Sequence, residues 1–190
     1  NYIQHFIIKN ESSFALTYLS KFAKLVRKIL ENSTHSRISL DDEIAFLKNY
    51  IEIESLRFDN KINFEIILDP EIDSDSIEIP SMLIQPYVEN AIIHGLTHNK
   101  GQGSIKIEFT KEKQGLKCVI LDNGIGRKAS AAINARIAKS HQSLGIPITK
   151  NRLEILNKSS ESNVVVTIED VLQKDQTVIG TKVEIYIPID

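Results

Sequence analysis

The sequence predicts an α+β protein in which a helical segment precedes a domain of strands and helices. Up to about residue 58, apolar residues recur every three or four positions, as on helices that pack against one another. Beyond residue 61, short runs are alternately apolar and polar or continuously apolar, which is typical of strands. The 190 residues, 42% of them hydrophobic and 25% charged, suffice for one core and a smaller appended element.

Composition excludes several classes of function. The net charge of −2, from 23 basic and 25 acidic residues, does not suggest a nucleic acid or an anionic membrane surface as partner. Cys118 is the single cysteine, so an intrachain disulfide is excluded, and its strand pattern predicts a small core residue. No apolar run has the length of a membrane span, and no signal peptide is visible. The sequence opens without Met in a helical pattern, so we expect it to be a piece of a longer protein.

Residues 1–58 are predicted to be helical and contain no glycine. A break at residues 10–13 offers serine caps for one helix. Ser39, with Asp42 three residues later, is expected to cap another after a polar connection at residues 32–37. Because this half has no sheet pattern, its apolar stripes must be buried against each other or against a second copy of the chain.

Five strands are predicted after this segment, at residues 62–68, 104–110, 116–121, 163–169 and 181–187. The second and third are joined by a short turn, as in an antiparallel meander. An acidic loop at residues 69–79 precedes a helix that we expect to begin at Pro80, where a missing N–H costs nothing. Residues 127–142 are predicted to be helical in part, and residues 149–156 to form a helix.

The helix over residues 85–95, QPYVENAIIHG, combines an apolar stripe with polar residues. The stripe consists of Ile84, Tyr87, Val88, Ala91 and Ile92. Glu89 and Asn90 lie opposite it, with His94 one turn beyond Asn90. A carboxylate and an amide on one face suit Mg²⁺ and its water shell. The alternative is an ordinary solvated face, although Ile93 on the polar side argues against it.

A second motif follows in residues 115–126, GLKCVILDNGIG. Its apolar run predicts a buried strand that ends at Asp122. Gly124 and Gly126 let a ligand approach the backbone closely, and Asp122 places an acceptor at the end of the strand. A plain turn also uses Asp-Asn-Gly, so this motif alone leaves both interpretations open.

Together, E-N-x-x-x-H-G and D-N-G-x-G, about thirty residues apart, resemble the ATP-binding domain of the GHKL superfamily, which includes histidine kinases, Hsp90, gyrase B and MutL. The finer resemblance is to LytS-like sensor histidine kinases. It depends on residues 83–95 (LIQPYVENAIIHG), residues 122–126, Leu144-Gly145 with Asn151-Arg152-Leu153, and residues 50–58 (YIEIESLRF). It covers essentially the whole chain.

The resemblance implies a helical dimerisation and phosphoacceptor region over residues 1–58 and a catalytic ATP-binding domain over residues 59–190. The latter is expected to be a Bergerat α/β sandwich with a mixed, mostly antiparallel sheet. In the family, a motif like Asn1-Tyr2-Ile3-Gln4 follows the acceptor histidine, so we expect the acceptor upstream of this chain. His5 and His35 are weaker alternatives, and we expect no autophosphorylation by the chain alone.

The resemblance also implies an adenine site and a phosphate site. Asp122 would accept from the adenine amino group, and Gly124 and Gly126 would leave room for base and sugar. The Thr181 hydroxyl would lie beside Asp122; alternatively, Gly180 is a turn glycine before a strand, and Thr181 is there for its β-propensity.

At the phosphate end, Asn90 would bind Mg²⁺, and Glu89 would orient or deprotonate the attacking group, with His94 on the same helix. Residues 127–142 lie where the family has its mobile ATP lid. The second glycine box resembles Leu144-Gly145, with Ser143 in place of the usual glycine. Lys150 and Arg152 are candidates for phosphate contacts, with ordinary surface charge as the alternative.

The expected function is therefore that of the ATP-binding part of a two-component histidine kinase. It would transfer the γ-phosphoryl group to a histidine for relay to the receiver domain of a response regulator. Expected partners are ATP with Mg²⁺ and a second copy bound through the N-terminal helices, but no nucleic acid. We expect a cytoplasmic segment of a protein anchored in a bacterial plasma membrane. One alternative is a nucleotide-sensing dimerisation module without transferase activity, which Ser143 favours. Another is an ATPase that acts as a conformational machine, which the helical N-terminal region disfavours.

Overall fold

The computed structural model describes residues 12–57, 62–96, 101–137, 153, 157 and 163–189. The chain divides into two compact units. The first comprises Asn1–Lys61 and Ser74–Met82, and the second comprises Ile62–Asp73 and Leu83–Asp190.

Within its described residues, the first unit contains two helices, α1 (Ser12–Ser33) and α2 (Leu40–Arg57). The backbone N–H of Asp42 donates to Ser39 Oγ at 3.1 Å, which satisfies one of the amides left open at the start of a helix. The predicted cap is thus confirmed. Lys28 Nζ on α1 also donates to Asp42 Oδ1, at 2.6 Å.

Helix α1 leaves much of its apolar stripe exposed in this chain. Ala15 and Leu25 are buried, whereas other large apolar side chains of α1 are exposed, among them Leu16, Leu19, Phe22, Val26 and Leu30. Leu16 is 68% exposed and Leu30 is 63% exposed. Helix α2 therefore covers only one side of α1.

A short two-stranded sheet completes the first unit, and it corrects two predictions. Strand β1 (Arg37–Ser39) pairs antiparallel with β3 (Glu78–Pro80), so the expectation of a helical half without sheet was wrong. Pro80 ends that strand and does not begin a helix. Three residues are too few to show a period, and proline at a strand end removes no interior ladder bond.

The second unit contains a five-stranded sheet in the order β2-β4-β5-β7-β6. Its strands are β2 (Ile62–Leu68), β4 (Gly103–Glu112), β5 (Gly115–Asp122), β6 (Val165–Leu172) and β7 (Val178–Pro188). Strands β2 and β4 are parallel, and the other three pairs are antiparallel. The α+β class and the mixed, mostly antiparallel sheet are confirmed.

One face of the central strands is buried. Its side chains alternate along β4, β5 and β7, as the pleat requires, and include Ile105, Ile107, Phe109, Leu116, Cys118, Ile120, Val183, Ile185 and Ile187. Cys118 is a buried free thiol, as predicted. Burial of each of these larger side chains contributes about 1.5–3 kcal/mol, so this face fixes the register of the sheet.

The second unit also contains helix α3 (Gln85–Asn90), a π-helix (Ala91–Leu96) that continues it, and helix α4 (Arg127–Ile137). Helix α3 has proline in its first turn, supplied by Pro86. The predicted apolar stripe of Ile84, Tyr87, Val88, Ala91 and Ile92 is buried throughout. The π-helix was not predicted, because a single π-turn within an α-helix is rare and a stretch of six residues is too short to reveal its period.

Within the described part of the chain, no helix is long and apolar enough to span a bilayer. The predicted helix at residues 149–156 falls almost entirely outside the described residues; Leu153 and Asn157 are helical.

Candidate functional site

Three polar residues lie abreast across strands β5, β7 and β6. Thr181 is the register partner of Asp122 on one side and of Asp170 on the other. Because register partners point to the same face of a sheet, the three side chains share one face. Asp122 also pairs with the buried Ile105 on β4, so this is the buried face.

The carboxylate of Asp122 is 6% exposed and lies at the end of β5. Burial raises its pKa to about 6, because desolvation penalises the charged form; hydrogen bonds from the backbone N–H groups of Gly124 and Thr181 lower it, and the nearby Asp170 charge raises it further. The Gly124 N–H donates to Asp122 Oδ1 at 2.8 Å. Asp122 is therefore ionised at neutral pH and keeps acceptor capacity for another donor.

Three glycines, Gly95, Gly124 and Gly180, surround Asp122 and are called the glycine cradle below. A Cβ on Gly95 would lie 3.1 Å from Asp122 Oδ1, and a Cβ on Gly124 would lie 2.5 Å from Gly95 Cα. A Cβ on Gly180 would overlap the backbone carbonyl of Asp122. Gly180 lies inside β7, so its interpretation as a turn glycine before the strand was wrong.

The loop after Asp122, residues 123–126, is held in place by hydrogen bonds at both ends. The N–H of Ile125 donates to the carbonyl oxygen of Gly95 at 3.3 Å. At the other end, Gly126 has φ +78°, which glycine adopts without strain. The N–H and Nε of Arg127 both donate to Asp170 Oδ1, at 3.0 and 3.2 Å. Asp170 was not among the predicted site residues, because it follows the predicted strand at residues 163–169 and belongs to no motif.

Glu89, Asn90 and His94 are half-buried at the end of α3 and on the π-helix. Gln85 Nε2 donates to Glu89 Oε1 at 2.6 Å, and Gln85 is itself only 7% exposed. Its spacing of four residues from Glu89 was the signal available in the sequence.

These residues fit a Mg²⁺ ion that is held mainly by phosphates. Among the described residues, no group of three or more His, Cys, Asp or Glu side chains is placed to hold a metal. Mg²⁺ in nucleotide sites needs only one or two protein oxygens, because phosphates and waters supply the rest. The half-exposed amide of Asn90 beside Glu89 can supply such an oxygen.

Four predicted site residues lie outside the described residues: Leu144, Gly145, Lys150 and Arg152. Their roles stay predictions. Among the described candidates, the structure brings Asp122, Gly124 and Thr181 together, with Gly126 at the far end of the same loop.

A cavity of about 450 Å³ lies along the same strand ends. Its lining includes Asp122 itself. It also includes Ser104, Lys106 and Leu121, which alternate with the buried side chains and so face the opposite side of the sheet. We therefore assign the candidate site to the glycine cradle and not to this cavity.

The fold is that of histidine kinase catalytic domains. The mycobacterial sensor histidine kinase MprB superposes with a TM-score of 0.54 at 17% identity, covering 82% of this chain and 97% of that structure. The histidine kinase AdeS of Acinetobacter baumannii gives a TM-score of 0.53 at 14% identity, covering 97% of this chain and 85% of that one.

Sequence comparisons give the finer grouping. Residues 1–62 match the histidine kinase family model. The sensor protein LytS of Oceanobacillus iheyensis is 33% identical over 122 residues, which are 64% of this chain and 20% of the relative. The sensor protein kinase HptS of Staphylococcus aureus is 30% identical over 125 residues, or 66% of this chain and 23% of the relative. The resemblance to LytS-like sensor histidine kinases is thus confirmed, and the chain spans about a fifth of these relatives' length.

Proposed function

We propose that this chain is the ATP-binding catalytic part of a two-component sensor histidine kinase. The observation that carries the proposal is the buried Asp122 carboxylate within the glycine cradle. A buried carboxylate is costly unless it is hydrogen-bonded, and two backbone N–H groups satisfy only part of its acceptor capacity. The exocyclic amino group of adenine is a donor that completes it.

This arrangement selects adenine over guanine. The amino group of adenine donates to a carboxylate, whereas guanine presents a carbonyl oxygen at the corresponding position and would leave two acceptors facing each other. A buried mismatch of this kind costs about 1–3 kcal/mol or more. The glycines contribute by leaving the space that side chains would fill, so that a flat base can approach the backbone.

The phosphate end of the proposed site involves Glu89, Asn90 and His94. We assign Asn90 to Mg²⁺ and Glu89 to the orientation or deprotonation of the attacking group, held in place by Gln85. ATP supplies the γ-phosphoryl group when bound. Phosphoryl transfer requires mainly positioning and neutralisation of charge, so one carboxylate, one metal ligand and the predicted cations Lys150 and Arg152 suffice.

The two segments of the chain, helical and strand-rich, are proposed to have different roles. Residues 1–58 form a dimerisation region, supported by the exposed apolar side chains of α1, and residues 59–190 form the catalytic domain. The exposed stripe would be buried against the same helix of a second copy. A response regulator receives the phosphoryl group, and the whole protein is anchored in the bacterial plasma membrane.

Nucleotide titration tests the proposal. The chain should bind ATP or ADP with Mg²⁺ at micromolar to millimolar strength, about −4 to −8 kcal/mol, and should bind GTP much more weakly. Asp122→Asn should remove most of the ATP affinity, because its amide presents a donor to the adenine amino donor. Asp175→Asn, in the β6–β7 turn, is the matched control and should bind like the wild type. Equal affinities of wild type and Asp122→Asn would defeat the assignment.

Two further variants separate metal binding from chemistry. Asn90→Ala should weaken the Mg²⁺-dependent part of ATP binding and spare adenosine, since the metal contacts phosphates. Glu89→Gln should leave ATP binding nearly intact and slow transfer to a supplied acceptor-histidine polypeptide. If Glu89→Gln transfers the phosphoryl group at the full rate, Glu89 has no role in the reaction and belongs to an ordinary solvated helix face. Nucleotide binding without any transfer would favour the nucleotide-sensing module, the alternative suggested by Ser143.

A further inference from the structure

Asp170 joins two parts of the candidate site that are 43 positions apart in the chain. Its carboxylate lies in the row of Asp122 and Thr181, and its side chain is only 14% exposed. One oxygen, Oδ1, accepts both the backbone N–H of Arg127 and the Arg127 Nε–H, at 3.0 and 3.2 Å. Arg127 is the first residue of α4.

We propose that Asp170 is a positioning residue for the nucleotide site, which fixes the far end of the loop at residues 123–126 by anchoring the start of α4. This inference rests on the proposed function, since the loop contains the glycines that would contact base and sugar. Asp170 acts through Arg127.

The geometry of the loop explains why an anchor is needed. Each residue of the loop has two soft backbone dihedrals, and Gly124 and Gly126 are the least restricted of all residues. The near end is held by Asp122 and Gly95. A Cβ on Gly126 would lie 3.5 Å from Asp170 Oδ1, so the anchor also packs against the loop. Without it, the packing of Gly126 against the Val178 side chain would still hold the far end of the loop, but the hydrogen bonds that fix the start of α4 would be lost.

The chemistry of the anchor explains why a carboxylate is suited to it. The first amides of a helix lack intrahelical acceptors, and a negative charge there interacts favourably with the helix dipole. The Arg127 guanidinium, 53% exposed, offsets part of the charge that Asp170 places beside Asp122. The essential element is the acceptor oxygen that meets the Arg127 N–H, which an asparagine at the same position can also provide.

The test compares Mg²⁺-ADP affinity and amide hydrogen exchange in the 190-residue chain. Asp170→Ala should weaken ADP binding by about tenfold, because binding would then also have to order the loop that contacts the base and sugar. It should also lose protection at the Arg127 amide. Asp170→Asn should retain ADP affinity within about threefold and keep that protection. Asp175→Ala, in the same β6–β7 hairpin, is the matched control and should bind like the wild type.

Arg127 variants test the same hydrogen bond from the donor's side, which keeps the proposal testable if Asp170→Ala does not fold. Arg127→Pro removes the N–H, and proline is well tolerated at the first helical position. Arg127→Ala removes only the guanidinium contact. The proposal expects weaker ADP binding in Arg127→Pro than in Arg127→Ala.

Four results would overturn the inference. They are wild-type ADP affinity in Asp170→Ala, equal losses in Asp170→Ala and Asp170→Asn, a similar loss in Asp175→Ala, and equal affinities of Arg127→Pro and Arg127→Ala. In each case the proposed function would stand, because the wild type binds ADP. Failure of the wild type to bind any adenine nucleotide would overturn both.

Discussion

Replacement of Asp122 by asparagine should change the pH dependence of stability as well as nucleotide binding. Burial raises the pKa of Asp122 from 3.8 to about 6. The folded state therefore binds more protons than the unfolded state between these values, so wild-type stability falls as the pH rises through this window. At about 1.4 kcal/mol per pH unit, the full shift corresponds to about 3 kcal/mol, of which about 2 kcal/mol is lost between pH 4 and pH 8, because the unfolded-state carboxyl already begins to ionise below pH 4. Asparagine does not titrate, so the stability of Asp122→Asn does not show this loss as the pH rises.

The free energy of unfolding of both proteins is measured with urea at pH 4, 6 and 8, without nucleotide. The stability of Asp122→Asn relative to wild type should increase by about 2 kcal/mol from pH 4 to pH 8. A constant offset from altered hydrogen bonding does not affect this difference between pH values. Asp175→Asn is the control whose relative stability should stay nearly constant over this range, because hydrogen bonds from Thr177 lower the pKa of Asp175 from 3.8 and its contribution changes mainly below pH 4. A relative stability of Asp122→Asn that stays constant or decreases with pH would refute the reasoning.

Three further predictions concern the same site. The affinity for adenosine should fall about tenfold per pH unit below pH 6 as Asp122 is protonated. Adenosine is used because it has no phosphate group that titrates, and its affinity is measured by calorimetry. Binding that does not depend on pH would contradict this prediction. Gly180→Ala should lower the free energy of unfolding, measured with urea, by about 3 kcal/mol or more, because the added Cβ overlaps the backbone carbonyl of Asp122. Gly103→Ala should lower it less, because the Cβ added there contacts only the Leu96 side chain. Gln85→Leu should keep ADP affinity and slow phosphoryl transfer about tenfold, because Glu89 loses its orienting donor; unchanged transfer would argue against that role.

The sequence by itself determines the elements whose evidence is local. The alternation in Ile62–Leu68, the buried stripe of the helix that contains Glu89 and Asn90, and the Ser39 cap were all predicted correctly. Each depends on residues within a few positions of one another, and the spacing of apolar side chains reflects the pitch of the element itself. The position of Asp122 at the end of a buried strand follows from the same local pattern.

Only the tertiary structure decides which distant residues meet. The pairing of β1 with β3 joins Arg37 to Pro80, and Pro80 therefore ends a strand where the sequence predicted the start of a helix. Likewise, the register of β5, β7 and β6 places Gly180 against the backbone of Asp122 and brings Asp170 to the start of α4. No local period encodes these contacts, because strand register is fixed by burial of a whole sheet face and by pairing between residues far apart in the chain.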